Sequence, residues 1–163
     1  MLDTFPVCGC HLAPGQFSTR IATVDTSDFR LFCLMDSIEY LTMDGILYRV
    51  PRLMWTDLAS IPDALWSLLP PQGKDGSEYG LPAAFHDAAY RDKLIVWPAG
   101  SMPSGVPMPN DNTGWVKATL PKEKCDLLLR EMMLACRVPE IIAETIYQAV
   151  RLGGQHAFNE DRA

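Results

Sequence analysis

No stretch of this chain approaches the roughly 18–20 unbroken apolar residues that a membrane-spanning helix needs, and none is read as one. Basic residues are outnumbered, 14 Lys+Arg against 20 Asp+Glu for a net charge of −6, and they form no run, so a phosphate-backbone footprint is not expected and nucleic acid is not a partner. The N-terminus, MLDTFPVCGCHLAPG, has an acid at Asp3, no basic start and no long apolar run, so it is not expected to be a secretory signal. There is no Gly-rich phosphate cradle, no nucleophile elbow and no HExxH. The five cysteines, Cys8, Cys10, Cys33, Cys125 and Cys136, are odd in number and sparse, so no disulfide framework is expected. Cys8-Gly-Cys10-His11 has no second ligand pair after it; it reads as a flexible or partner-bound segment, with a soft-metal site as the minor alternative.

What remains is ample core material: 48% of the 163 residues are hydrophobic, enough for one domain. The first half reads as β. Residues 20–26 and 29–35 are β-rich runs, and residues 37–43 and 46–50 flank Asp44-Gly45, a hairpin signal. The second half reads as α. A short helix is expected from Ser60-Ile61-Pro62-Asp63 to Leu69, with Ser60 as cap and Trp66 in the core, as Trp55 before it. Three longer helices follow: one opened by Pro82, one by Thr119 and Pro121, and one by Pro139. The second of these has its apolar face at Cys125, Leu128, Leu129, Met132, Met133 and Cys136. The third has its stripe at Ile142, Thr145, Ile146, Ala149 and Val150, and stops at Gly153-Gly154. Residues 97–115 hold a concentration of prolines and glycines and read as a long loop pinned at its ends by Trp97 and Trp115. The order β then α predicts an α+β fold, a small N-terminal antiparallel sheet packed against one short and three longer helices. The compact domain is expected over 36–158, with 1–35 as N-terminal strands or an arm and 159–163 as a tail.

The sharpest chemical feature is His86-Asp87-Ala88-Ala89-Tyr90. On a helix His86 and Tyr90 share a face, and Asp87 lies about 100° round. Histidine is the natural general base near neutral pH, and an adjacent carboxylate such as Asp87 can hold a hard cation, calcium or zinc. A second carboxylate usually fixes the other ring nitrogen of such a base, and Asp126, at the edge of the next helix's buried face, is the best placed. Asp57, at the junction before the short helix, would bring a further carboxylate towards a cation or water site. The bland alternative treats the same residues as packing. His86 is then a satisfied core histidine, Asp87 an exposed helix acid, Tyr90 a core aromatic, Asp126 the i+4 partner of Arg130, and Asp57 a helix-end group. His156 reads as exposed, and Arg151 as a surface residue.

The run Tyr48-Arg49-Val50-Pro51, then TDLASIP at 56–62, then LWSLLPP at 65–71, followed by the HDxxY helix, Asp126 and AVRLGG at 149–154, resembles an uncharacterised domain family found largely in tailed bacteriophages and prophages. The resemblance covers roughly residues 36–158. It implies a phage origin, hence the host cytoplasm or the virion, and other phage proteins or a host protein as partners, for which loop 97–115 is the expected contact. A second, local resemblance is to the phospholipase A2 site, HDxxY followed by a helix bearing Asp. It implies His86 as base, Asp87 as calcium ligand, and Tyr90 and Asp126 as supports of the base. The glycine-rich calcium loop and the paired cysteines of that site are absent here, so Asp57 would replace part of the loop. Two functions follow: a metal-assisted hydrolase of an ester or amide in the host envelope, with lipid or peptidoglycan as substrate, or a non-catalytic virion, tail-assembly or host-factor-binding protein.

Overall fold

The computed structural model describes residues 13–18, 23–25, 32–56, 80–98 and 112–162. The expected helix at 60–69, Asp57, Trp66, the cysteines and histidine at 8–11 and most of loop 97–115 lie outside them. Within them the fold is α+β, as the order of the sequence signals implies. The strands are β1 (Gln16–Phe17), β2 (Thr23–Asp25), β3 (Phe32–Leu34), β4 (Ile38–Leu41), β5 (Leu47–Val50), β6 (Trp55–Thr56), β7 (Ile95–Val96) and β8 (Val116–Lys117). The helices are α1 (Gly80–Tyr90), α2 (Lys122–Ala135), α3 (Glu140–Gly153) and α4 (Gln155–Glu160). The strands form two antiparallel sheets, one ordered β1-β4-β5-β7-β8 and the other β2-β3-β6.

The β4–β5 hairpin organises the larger sheet. Gly45 takes φ +82° in its turn, a conformation glycine adopts without penalty, and Thr42 closes the turn by exchanging backbone bonds with Ile46 and Gly45. The register pairs Ile38 with Val50, Glu39 with Arg49, Tyr40 with Tyr48 and Leu41 with Leu47. Alternation therefore puts Ile38, Tyr40, Tyr48 and Val50 on one face, where they pack with Phe85 and the alanines of α1. Phe17 of β1 adds to that core, its ring 4.6 Å from Tyr40 and 5.7 Å from Phe85. The opposite face carries Leu41 and Leu47 under Trp115, with Ile95 and Trp97 beside them. Trp97 and Trp115 meet edge to face at 5.3 Å.

Every residue of α1 is buried, because its small side chains let the sheet and α2 close on it from both sides. The α2 face at Cys125, Leu128, Leu129, Met132 and Met133 is buried as its spacing implies. The α3 stripe is rotated from the expectation: Ala143, Ile146, Tyr147 and Val150 are buried, whereas Thr145 is exposed and Ile142 and Ala149 are half-buried. Trp55 is a second correction. It is 51% exposed, since alternation in β6 turns Thr56 inward instead. The C-terminal residues fold back onto the domain. The Arg162 guanidinium donates to the carbonyls of Ala89, Tyr90 and Leu120, satisfying the end of α1 and the approach to α2.

Candidate functional site

α1 and α2 pack side by side, and their facing sides carry the polar residues singled out above. His86 and Tyr90, four apart on α1, both reach Asp126 on α2. His86 Nε2 lies 3.2 Å from Asp126 Oδ1, and the Tyr90 hydroxyl donates to the same oxygen at 2.7 Å. The two rings stand 4.0 Å apart. Lys122, one turn before Asp126, donates to Oδ2 at 2.7 Å. Its ammonium also donates to the carbonyls of Val150 and Arg151 at 2.9 and 3.2 Å, which caps the C-terminal turn of α3. The group is nearly dry: His86 is 4% and Asp126 1% exposed.

Lys122 was not among the residues that sequence reasoning selected. The i+4 partner considered for Asp126 was Arg130, but Arg130 instead donates to Glu144 at 2.7 Å across the α2–α3 groove. The signal that would have found Lys122 is the same spacing taken in the other direction, with Lys122 four residues before Asp126 on one helix face.

Burial on its own would raise the Asp126 carboxyl. The hydrogen bonds from His86, Lys122 and Tyr90 outweigh it and hold the group below the usual carboxylate range. An ionised carboxylate only accepts, so Nε2 of the neutral ring carries the proton and Nδ1 is left as the basic nitrogen. Among the described residues Nδ1 has no hydrogen-bond partner. Burial, followed by the bond to Asp126, pushes the Tyr90 phenol well above its ordinary range, so it stays a donor. Cys125 next to Asp126 is driven up to about 12 by burial and is an inert thiol.

Asp87 faces away from this group, about 100° round α1, and is buried rather than exposed. Its Oδ2 accepts from the hydroxyl of Thr56 on β6. Thr56 is the residue before Asp57, which itself lies outside the described residues. His86, Tyr90 and Asp126 are thus brought together, and Asp87 forms a separate contact with the strand that leads to Asp57. Among the described residues no group of three or more His, Cys, Asp or Glu side chains is placed to hold a metal ion.

Gly154 closes the far side of the group. A Cβ there would stand 2.6 Å from the Val150 carbonyl and 2.7 Å from the Tyr90 hydroxyl, so glycine is required by space rather than by backbone angle.

Residues 32–150 match the profile of a family described as proteins of unknown function, DUF1353, and the chain belongs to that family. Searches of curated proteins and of solved structures return no match.

Proposed function

We propose that this DUF1353 protein is a phage-encoded hydrolase that cleaves an ester or amide of the host envelope, with His86 as its general base. The observation that carries this reading is the His86–Asp126 contact at 3.2 Å, in which a carboxylate held ionised by two further donors fixes the imidazole tautomer. His86 Nδ1 would take a proton from the attacking water, Asp126 would stabilise the imidazolium that results, and Tyr90 and Lys122 would keep Asp126 aimed at the ring. Phage origin rests on the motif pair TDLASIP and HDxxY. Asp87 and Asp57 are the residues that would hold a divalent cation and polarise the scissile carbonyl. Of the two only Asp87 is among the described residues, and its carboxylate is already engaged by Thr56.

A second reading has its own support. Both oxygens of Asp126 are already occupied, by three donors, and all four side chains are buried. That closure suits a structural tie in a non-catalytic virion, tail-assembly or host-factor-binding protein, with loop 97–115 as contact.

The purified protein and its His86→Ala variant, assayed on phospholipid vesicles and on peptidoglycan, separate the two. Hydrolysis by the parent and its loss, by about two orders of magnitude or more, in a variant with an unchanged circular-dichroism spectrum support the catalytic role. Hydrolysis retained in the variant removes His86 from the mechanism. No hydrolysis by the parent, together with unfolding of the variant, favours the structural tie.

A further inference from the structure

Among the described residues α3 is the outermost helix of the stack formed by the larger sheet, α1, α2 and α3. It buries Ala143, Ile146, Tyr147 and Val150. Half a turn away it exposes Ile141 (77%), Thr145, Gln148 and Leu152 (85%). These four recur at intervals of four, three and four residues and form one straight stripe down the helix. The stripe reads the same from either end: apolar, polar, polar, apolar. One flank of it is charged. Glu140, Glu144 and Arg151 lie along a single line with Tyr147, acids towards the start of the helix and the base towards its end. Arg151 is steadied there by the Tyr147 hydroxyl at 3.0 Å, and Glu144 by Gln148 and by Arg130 of α2, each at 2.7 Å. Arg130 also stands 3.8 Å from Glu140, so the two acids beside this one base keep the start of the flank net negative.

We propose that α3 pairs antiparallel with α3 of a second copy of this chain, about a two-fold axis passing between Thr145 and Gln148. Such a pairing lays Ile141 on Leu152 of the partner subunit, and Leu152 on Ile141 of the partner subunit. Thr145 meets Gln148 of the partner subunit, so the polar positions face each other at the centre. On the charged flank Glu140 and Glu144 bracket Arg151 of the partner subunit, and the two-fold repeats the contact. An isologous interface needs a patch that is its own complement, and this one is so in both apolarity and charge. A parallel pairing about a two-fold along the helices would put the two charged flanks on opposite sides of the interface, where they could not reach each other. One helix face falls well short of the ~1,200–2,000 Å² that stable complexes bury, so the dimer is weak and depends on concentration. The ion pairs set its direction, and the Ile–Leu contacts supply most of its energy.

Sedimentation of the full chain over a rising concentration series tests this. The mass is expected to climb from the 18.2 kDa of one chain towards twice that value. Ile141→Asp and Leu152→Asp should each abolish the climb without loss of helical signal. Glu144→Arg and Arg151→Glu should each weaken it, and the two together in one chain should restore it. Direction is read with Ile141→Cys and Leu152→Cys. Along one helix these positions are about 16 Å apart, beyond the ~7 Å reach of a disulfide. In a glutathione redox buffer only the double variant should then give a covalent dimer. Three results overturn the proposal: a chain that stays monomeric at millimolar concentration, an unaltered dimer in both Asp variants, or a covalent dimer from Ile141→Cys alone.

Discussion

Two buried ion pairs lie on opposite faces of the larger sheet, and they are built differently. On the face away from α1, Arg49 Nε donates to Glu39 Oε1 at 2.6 Å, with the guanidinium 4.1 Å above the Trp115 ring. These residues are direct cross-strand partners in the β4–β5 hairpin, so a local register is enough to join them. On the α1 side, Asp126 gathers His86 and Tyr90 from α1 and Lys122 from its own helix, and Lys122 in turn holds the end of α3. That group depends on three helices being docked, and it joins residues as far as 40 positions apart. A local pair of the first kind stabilises one hairpin. A convergent group of the second kind makes the docking of every helix conditional on the others.

The largest expected effect follows from that difference. Lys122→Met removes the lysine that touches Asp126 among the described residues, leaves a buried carboxylate short of a donor and strips the cap from α3. A loss of about 3–5 kcal/mol is expected in urea unfolding at neutral pH. Glu39→Gln keeps an acceptor beside Arg49 and disturbs one hairpin, so its cost is expected at about 1.5–3 kcal/mol by the same measurement. Equal losses, or the reverse order, would break the distinction between the two pairs.

A pH series sharpens it. The carboxyl of Asp126 is lower in the folded chain than in the unfolded one, so the stability it contributes is complete above the unfolded value near 4 and is lost as pH falls through the lower folded value. Urea midpoints measured from pH 6 to pH 2.5 should fall more steeply for the parent than for Asp126→Asn, which has no proton to take up there. Parallel curves would show that Asp126 is not held ionised by its three donors.

Much of this is legible in the sequence, and what is not legible there has a physical reason. The Asp44-Gly45 hairpin and the α2 face at Cys125, Leu128, Leu129, Met132 and Met133 depend on contacts close in sequence, where turn chemistry and periodicity suffice. The candidate group was found through its residue types, with His86, Tyr90 and Asp126 meeting as their spacing allowed. Lys122 was not found, because Asp126 has a basic residue four positions away on either side. Only the placement of α3, with Glu144 taking Arg130, decides between them. The α3 stripe came out rotated for a related reason. Apolar residues ring that helix, from Ile141 and Ile142 to Leu152, so composition does not say which side faces inward. The two-residue strands β1, β6, β7 and β8 are too short to carry a period at all.

The smallest expected effect concerns the helix ends that frame the convergent group. Both α1 and α2 finish in the same double turn-back: Lys93 and Asp92 N–H donate to Ala88 and Ala89 carbonyls, and Val138 and Arg137 N–H to Met133 and Leu134 carbonyls. This geometry requires a left-handed residue, and here it is supplied by Asp92 at φ 57° and Arg137 at φ 63° rather than by glycine. Asp92 is tied to Lys117, so its side chain has work besides the turn. Arg137 is exposed, and no hydrogen bond or ion pair engages its side chain among the described residues. Arg137→Gly should therefore relieve the left-handed strain without removing a contact, and raise stability by about 0.5–1 kcal/mol in urea unfolding. Asp92→Gly should not gain as much, because it also forfeits the lysine contact. A loss of stability in Arg137→Gly would mean that the end of α2, unlike the group it frames, is held by something other than its backbone.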